Sequence, residues 1–236
     1  MQTTTPTPDK SKQDFRPKNV RALLLSRELD HARDRGGITT RELATQLGTS
    51  ASMVNRFMLG RRVPDPLQIG GLCAALDIPA ERRHYLYSLA TDASDLTTTP
   101  WILAPSPDTD AIVINLLAIA EQVTTYTPTL PAPTTPRRST THCFPASALH
   151  NPDKHHLRQL AHRHYLRLIP DTGPTPAQPF HALRTPHTQP IAIVELDHHT
   201  LILERHDAAP YITSADAFLT TALSPKDTGA RIQELL

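Results

Sequence analysis

Between residues 50 and 62 the chain reads Ser-Ala-Ser-Met-Val-Asn-Arg-Phe-Met-Leu-Gly-Arg-Arg. These are residue types that read a nucleic-acid duplex. An Asn such as Asn55 can pair through both amide atoms with adenine, an Arg such as Arg56 can fork onto guanine, and the apolar parts of Ala51 and Met53 can meet a thymine methyl. The hydroxyls of Ser50 and Ser52 can donate to a phosphate or a base edge. Arg61 and Arg62 supply charge to the phosphate backbone, which holds a protein on DNA without reading it. All of this requires one helix to present the first group and a turn beside it to present the second.

Other chemistry finds less support. Eleven of the thirteen histidines lie beyond residue 140, among them His155, His156, His162, His164, His198 and His199. His155 and His162 share a helix face by spacing, which equally describes two surface histidines. There is no HExxH and no Cys/His cluster with zinc spacing. Asp197 and Glu204 have no evident paired role. A nucleophile elbow, a Gly-rich phosphate loop and a dinucleotide fingerprint are all missing. The expectation is no catalytic residue, no metal and no cofactor. Cys73 and Cys143, seventy residues apart, read as reduced buried thiols rather than a disulfide framework. The opening MQTTTPTPDKSKQD is not ordered like a signal peptide, and the apolar stretch around Ile112 to Ala120 is too short to span a membrane. The expected setting is cytoplasmic, with no membrane partner.

The elements that must position the first group are short helices with clear ends. Residues 1–19 are Thr, Pro, Lys and Asp with little to bury, and are expected to form a disordered arm. From Val20, Leu24, Leu25, Leu29 and Ala32 fall near helical spacing until Gly36 and Gly37. Thr39 and Glu42 have the spacing of a capping box, and Leu43, Ala44 and Leu47 face inward before Gly48. Ser50 then caps a third helix, expected over about 50–59, anchored by Val54 and Phe57 and ended by Gly60. Two short helices joined by a Gly-containing turn predict a helix-turn-helix. A fourth helix carries Leu67, Ile69, Leu72, Cys73 and Leu76. A fifth opens at Pro79 with Leu86 and Leu89 inward, leaving Tyr85 and Tyr87 for the next domain. Residues 10–90 hold 14 Lys/Arg against 8 Asp/Glu, whereas residues 91–236 hold 10 against 14, so the basic charge lies with these helices.

The stretch from Ile38 to Ala90, with its ELA…LG turn, V-x-R-F knob, GRRVP loop and LDIP, resembles the lambda-repressor-like (Xre-type) helix-turn-helix family. The resemblance implies a dimer on double-stranded DNA. By position it places Ala51, Ser52, Met53, Asn55 and Arg56 on the operator-facing surface and Thr40 near a phosphate. The family's usual Gln early in each motif helix is replaced here by Thr40 and Ala51. The remainder resembles the uncharacterised C-terminal domain of many actinobacterial regulators, some of which act in an antitoxin-like arrangement with a small partner protein. The segments that carry this are Trp101, LLAIAEQVTTYTPTLPAP, STTHCFPASAL, YLRLIPDTG, IAIVELDHHTLILE and LSPKD. A helical section usual after the position of Pro133 is shortened here to TTPRRS.

Read on its own, the second half predicts a helix from Asp110 to Thr124, a Pro-rich loop at 126–138 and a strand at Thr140–Phe144. A helix at Asp153–Arg163 follows, then strands at Tyr165–Ile169, Gln178–Leu183, Ile191–Leu196 and Thr200–Glu204. Helices at Ser214–Leu223 and Pro225–Leu236 close the chain. The expected fold is an all-α five-helix lambda-repressor-like DNA-binding domain (20–92) followed by a second α+β domain (100–236). The expected function is a dimeric, non-enzymatic transcriptional regulator whose C-terminal domain senses a small-molecule effector or a partner protein. The alternative is an antitoxin-like protein-interaction module that has lost sequence-specific DNA reading, which Thr40 and Ala51 motivate.

Overall fold

The computed structural model describes residues 19–94, 100–133, 139–150, 152–171, 175–185 and 188–236. The expected N-terminal arm, up to residue 18, and residues 134–138 of the Pro-rich loop lie outside the described residues. Five helices come first: α1 (Val20–Arg35), α2 (Thr40–Gln46), α3 (Ala51–Met58), α4 (Pro66–Ala75) and α5 (Ala80–Ser94). Asn19, assigned to the arm by sequence, caps α1. Its side-chain oxygen accepts from the Ala22 N–H at 2.8 Å, and its Nδ2 donates to the Ala93 carbonyl at 3.0 Å. The cap therefore also ties α1 to the end of α5.

The second half is a mixed helix-and-strand unit built on an open seven-stranded sheet. Its strands are β1 (Trp101–Leu103), β2 (Gln122–Tyr126), β3 (Thr140–Pro145), β4 (Leu166–Ile169), β5 (Phe180–Arg184), β6 (Ile191–Glu195) and β7 (Thr200–Glu204), ordered β1-β7-β6-β5-β2-β3-β4. Strands β2, β3 and β4 run parallel, and every other pairing is antiparallel. The helices are α6 (Pro107–Ile119), α7 (Lys154–Leu160), α8 (Arg205–Thr221) and α9 (Pro225–Gln233).

Period-two alternation sends the strand residues to two faces. One face carries Tyr126, Phe180, Ala192 and Val194 and packs on Ala215 and Phe218 of α8. The Tyr126 and Phe218 rings lie 5.1 Å apart. The other face carries Val123, Leu183, Ile191, Ile193 and Ile202, which join Ile112 and Leu116 of α6 in one apolar cluster with the five N-terminal helices. A third cluster, centred on Phe144, Leu157, Leu168 and Ile232, lies at the β3–β4 end under α7 and α9.

Several expectations shift. The helix expected over Asp110–Thr124 starts at Pro107 and stops at Ile119, because Val123-Thr124-Thr125-Tyr126 is β-branched and aromatic and has a strand partner on each side. The helix expected to open at Ser214 opens at Arg205 and contains Pro210. That proline lies at the sixth helical position, past the N–H groups a helix leaves free, so it withdraws the donor that the His206 carbonyl would otherwise have. β1 was not anticipated; three residues carry no periodicity, and pairing with β7 defines it. The helix expected over Asp153–Arg163 contracts to α7, capped by Asp153. Of the two tyrosines left for the second domain, Tyr87 instead turns to α4, its hydroxyl 2.9 Å from where a Gly70 Cβ would stand. Tyr85 is half-buried near Glu28 and Asp108, and the desolvation of its ring pushes its hydroxyl up to about 12.

The sheet also grips α1 directly. The Val20 N–H donates at 2.8 Å to the Glu204 carboxylate, at the junction of β7 and α8. The Arg21 guanidinium lies 4.6 Å over the Trp101 ring of β1. Burial raises the Glu204 carboxyl above its ordinary value, and the Val20 N–H opposes that only in part. A raised folded-state value means the folded protein holds this proton more firmly than the unfolded chain does. The stabilising contribution is therefore full at low pH and is lost as pH rises through the raised value. Glu204→Gln keeps an acceptor for Val20 without a charge to desolvate. Its melting temperature should equal or exceed that of the natural protein at neutral pH, and the natural protein should close the gap on mild acidification. Glu204→Ala, which leaves the Val20 N–H without its acceptor, should lose about 1.5–3 kcal/mol in denaturant titration.

Candidate nucleic-acid interface

Helix α2 is set by a reciprocal cap. The Thr39 hydroxyl accepts from the Glu42 N–H at 3.2 Å, and the Glu42 carboxylate accepts from the Thr39 N–H at 2.8 Å and from its hydroxyl at 2.7 Å. These two donors hold the Glu42 carboxyl below the usual carboxylate range. Leu43 and Ala44 bury the inner face. At the end of α2 the chain turns through Gly48 at φ +61°, a conformation that costs glycine nothing. The Thr49 N–H returns to the Ala44 carbonyl at 3.0 Å. Ser50 then caps α3, accepting from the Met53 N–H at 3.2 Å. Val54 and Phe57, 0% and 3% exposed, anchor α3 in the core and so fix which residues face out.

That outward set is Ser52, Asn55 and Arg56, all exposed, with exposed Ser50 just before them. Ala51 and Met53 are half-buried and lean on the core, so they reach the same surface only through one edge. Thr40 is half-buried at the first position of α2, with Arg41 exposed beside it. After α3, Gly60 at φ +64° begins a turn in which the N–H groups of Arg61 and Arg62 both donate to the Arg56 carbonyl, at 2.9 and 3.2 Å. The turn is thus folded back onto α3. Arg62 is exposed and Arg61 half-buried. From Leu43 to Pro64 there is no Asp or Glu and there are three Arg, so the only charges that α3 and its turn contribute are positive.

Two supports escaped the sequence reading. Asp65 and Gln68 form a second capping box that starts α4, at 2.8 and 3.0 Å. Arg33 buttresses the approach to α2: it donates to the Ile38 carbonyl at 3.0 Å and is held by Asp30 and Asp34. Both are local pairings recognisable from sequence spacing.

The sheet holds another polar arrangement that long-range contacts conceal from sequence reading. His181 of β5 shares a hydrogen bond with the Thr125 hydroxyl of β2 at 2.9 Å and one with the Glu195 carboxylate of β6 at 3.0 Å. The bond to His181 holds the Glu195 carboxyl below its ordinary range. His142 of β3 lies beside them; burial and the neighbouring His181 lower it to about 4, leaving it neutral at physiological pH. The order hydroxyl–imidazole–carboxylate is that of an activated nucleophile, but Thr125 is 4% exposed. The chain joins three strands and offers no accessible attacking oxygen. His155 pairs with Gln159, and no group of three or more His, Cys, Asp or Glu among the described residues is arranged to hold a metal ion. A cleft of about 310 Å³ opens where α1 and α6 diverge, lined by Leu24, Arg27, Glu28, His31, Asn115 and Ile119 among others, and it includes none of His155, His162 and Asp197. No helix among the described residues is long and apolar enough to cross a membrane.

Comparison with known proteins agrees with this geometry where it is most local. No curated protein matches the chain. Among solved structures, the clp gene regulator ClgR from C. glutamicum is 23% identical, with 34% of this chain and 97% of that one covered at a TM-score of 0.26. TrmBL2, described as an archaeal chromatin protein with a novel mode of DNA binding, is 10% identical, with 79% of this chain and 88% of that one covered at a TM-score of 0.33. Residues 24–86, which run from α1 into α5, match the family described as "Helix-turn-helix domain" (HTH_31).

Proposed function

We propose that the chain is a non-enzymatic transcriptional regulator that places α3 in the major groove of double-stranded DNA. The carrying observation is the capped, core-anchored α3, which turns Ser52, Asn55 and Arg56 outward within a stretch that has three arginines and no acid. Asn55 and Arg56 read base edges, and Ser52, Ala51 and Met53 add hydroxyl and apolar contacts. Thr40, Ser50, Arg61 and Arg62 hold phosphates and set the register of the helix on the duplex. The regulator acts as a homodimer. Its C-terminal sheet domain receives a small-molecule effector or a partner protein. The apolar cluster shared by α1, α6 and the sheet supports that division of labour, since a change in the sheet bears directly on the first helix of the DNA-binding domain.

The test is selection of bound duplexes from a random pool, followed by salt titration on the selected sequence. A palindromic site with half-sites one helical turn apart, and log affinity falling linearly with log salt, is the expected result. No duplex binding even at low salt would overturn the reading and favour the antitoxin-like interaction module, for which Thr40 and Ala51 in place of amide side chains speak. Arg62→Ala should weaken binding to every sequence and reduce the salt slope by about 0.9. Arg56→Ala and Asn55→Ala should each cost about 1–3 kcal/mol on the preferred site and little on random DNA, as read from paired titrations.

A further inference from the structure

Helix α4 is apolar on two sides, and among the described residues only one of them is packed into the core. Ile69, Leu72 and Cys73 point into the core of the N-terminal helices. On the other side, Leu67, Gly71, Ala74 and Ala75 recur at i, i+4, i+7 and i+8 and make a second apolar face. No charged residue occurs between Asp65 and Asp77. Leu67 is 87% exposed, the largest value of any exposed large hydrophobic residue among the described residues. A helix that is apolar all round is ordinarily covered all round.

Beside Leu67 lies a groove of about 760 Å³, between α4 and the turn that joins α2 to α3. Leu47, Phe57, Gly71, Ala74 and Ala75 are among its lining residues, and none of the lining residues is charged. Gly71 keeps its floor low: a Cβ there would stand 3.2 Å from Leu47. Leu67 itself is among the residues that line the groove. One helix face thus carries both a protruding side chain and a shallow seat, separated by about two turns, or roughly 11 Å.

Resting on the regulator reading above, we propose that this face is where two copies of the chain meet. The two α4 helices pack antiparallel about a two-fold axis near Gly71, each Leu67 seated over Ala74 and Ala75 of the other. Only an isologous arrangement satisfies knob and seat on both chains at once. Antiparallel packing also sets the positive N-terminal end of each α4 dipole beside the negative C-terminal end of its partner. The groove borders Phe57 of α3, so the contact lies next to the recognition helix, as reading two half-sites one helical turn apart requires. The groove is lined by 11 residues, about half of what one side of a standard protein–protein interface uses, so the free dimer is a weak one.

The experiment is sedimentation of the full chain without DNA, from low to several hundred micromolar concentration. The natural protein should pass from monomer to dimer. Leu67→Arg should keep its melting temperature, because Leu67 is exposed, and should weaken association about tenfold or more. An equimolar mixture of Leu67→Cys and Ala74→Cys chains should form a mixed disulfide dimer on oxidation, more readily than either chain alone. A natural protein that stays monomeric, a Leu67→Arg chain that associates unchanged, or no mixed disulfide would overturn the proposal. A chain that fails here and still prefers a DNA site in an Arg56-dependent way sinks only this surface; a chain that associates here and ignores DNA sinks the regulator reading alone.

Discussion

Helix α1 has no solvent face along its first turns, and the molecule is arranged around that fact. Every residue from Val20 to Ser26 is buried. Leu24, Leu25 and Leu29 share one apolar cluster with Val54 and Phe57 of α3, Leu86 and Leu89 of α5, Ile112 and Leu116 of α6 and Ile193 and Ile202 of the sheet. A helix with one apolar stripe can be satisfied by its own bundle, whereas one buried all round needs cover on its remaining sides. The helix-turn-helix pair leans on α1, and α1 in turn takes part of its cover from the second half of the chain. The Arg82–Glu28 pair at 3.0 Å and the Arg33 cluster secure the more exposed stretches of α1, where packing gives way to polar contacts.

The sheet divides its work by face. Toward α8 it is aromatic and aliphatic, with Cys143 among those residues and its thiol pushed by burial to about 12. Toward α1 and α6, cross-strand neighbours form a row that passes from Trp101 through Ile202 and Ile193 to His181, Thr125 and His142. The row turns from apolar to polar at His181, although Thr125 beyond it is still only 4% exposed. Thr125 and His181 can stay on this face because the imidazole of His181 is bonded on both nitrogens, to Thr125 and to Glu195, whereas the buried Nδ1 of His142 has no such partner among the described residues.

The N-terminal helices were legible because their ends are written locally. Thr39 with Glu42, Ser50 before Ala51, and the glycines at 36, 48 and 60 each act within four residues, and the structure places each as a cap or a stop. The outward set on α3 was legible only in part. Val54 and Phe57 fix the helix rotation, which turns Ala51 and Met53 halfway inward, and on a helix of 8 residues that rotation follows from packing rather than from sequence order. In the second half, Val123 continued the helical spacing of Leu116 and Ile119 and drew the expected helix onward. The strand that holds it exists because Leu183, sixty residues later, pairs with it. The link from Thr125 through His181 to Glu195 has the same origin. Alternation tells which face each residue takes, but not which strands will be neighbours.

The carboxylate that receives the Val20 N–H is made 184 residues after it. A ribosome adds about 5–20 residues each second, so roughly ten seconds or more pass between the synthesis of α1 and the synthesis of the group that closes its first turn. Throughout that interval the five helices can gather, yet Val20 and Trp101 still lack β7. The support of α1 is therefore closed late, by a strand made long after the helices it steadies. A nascent chain that has not reached β7 carries all of α3 without that support beneath α1.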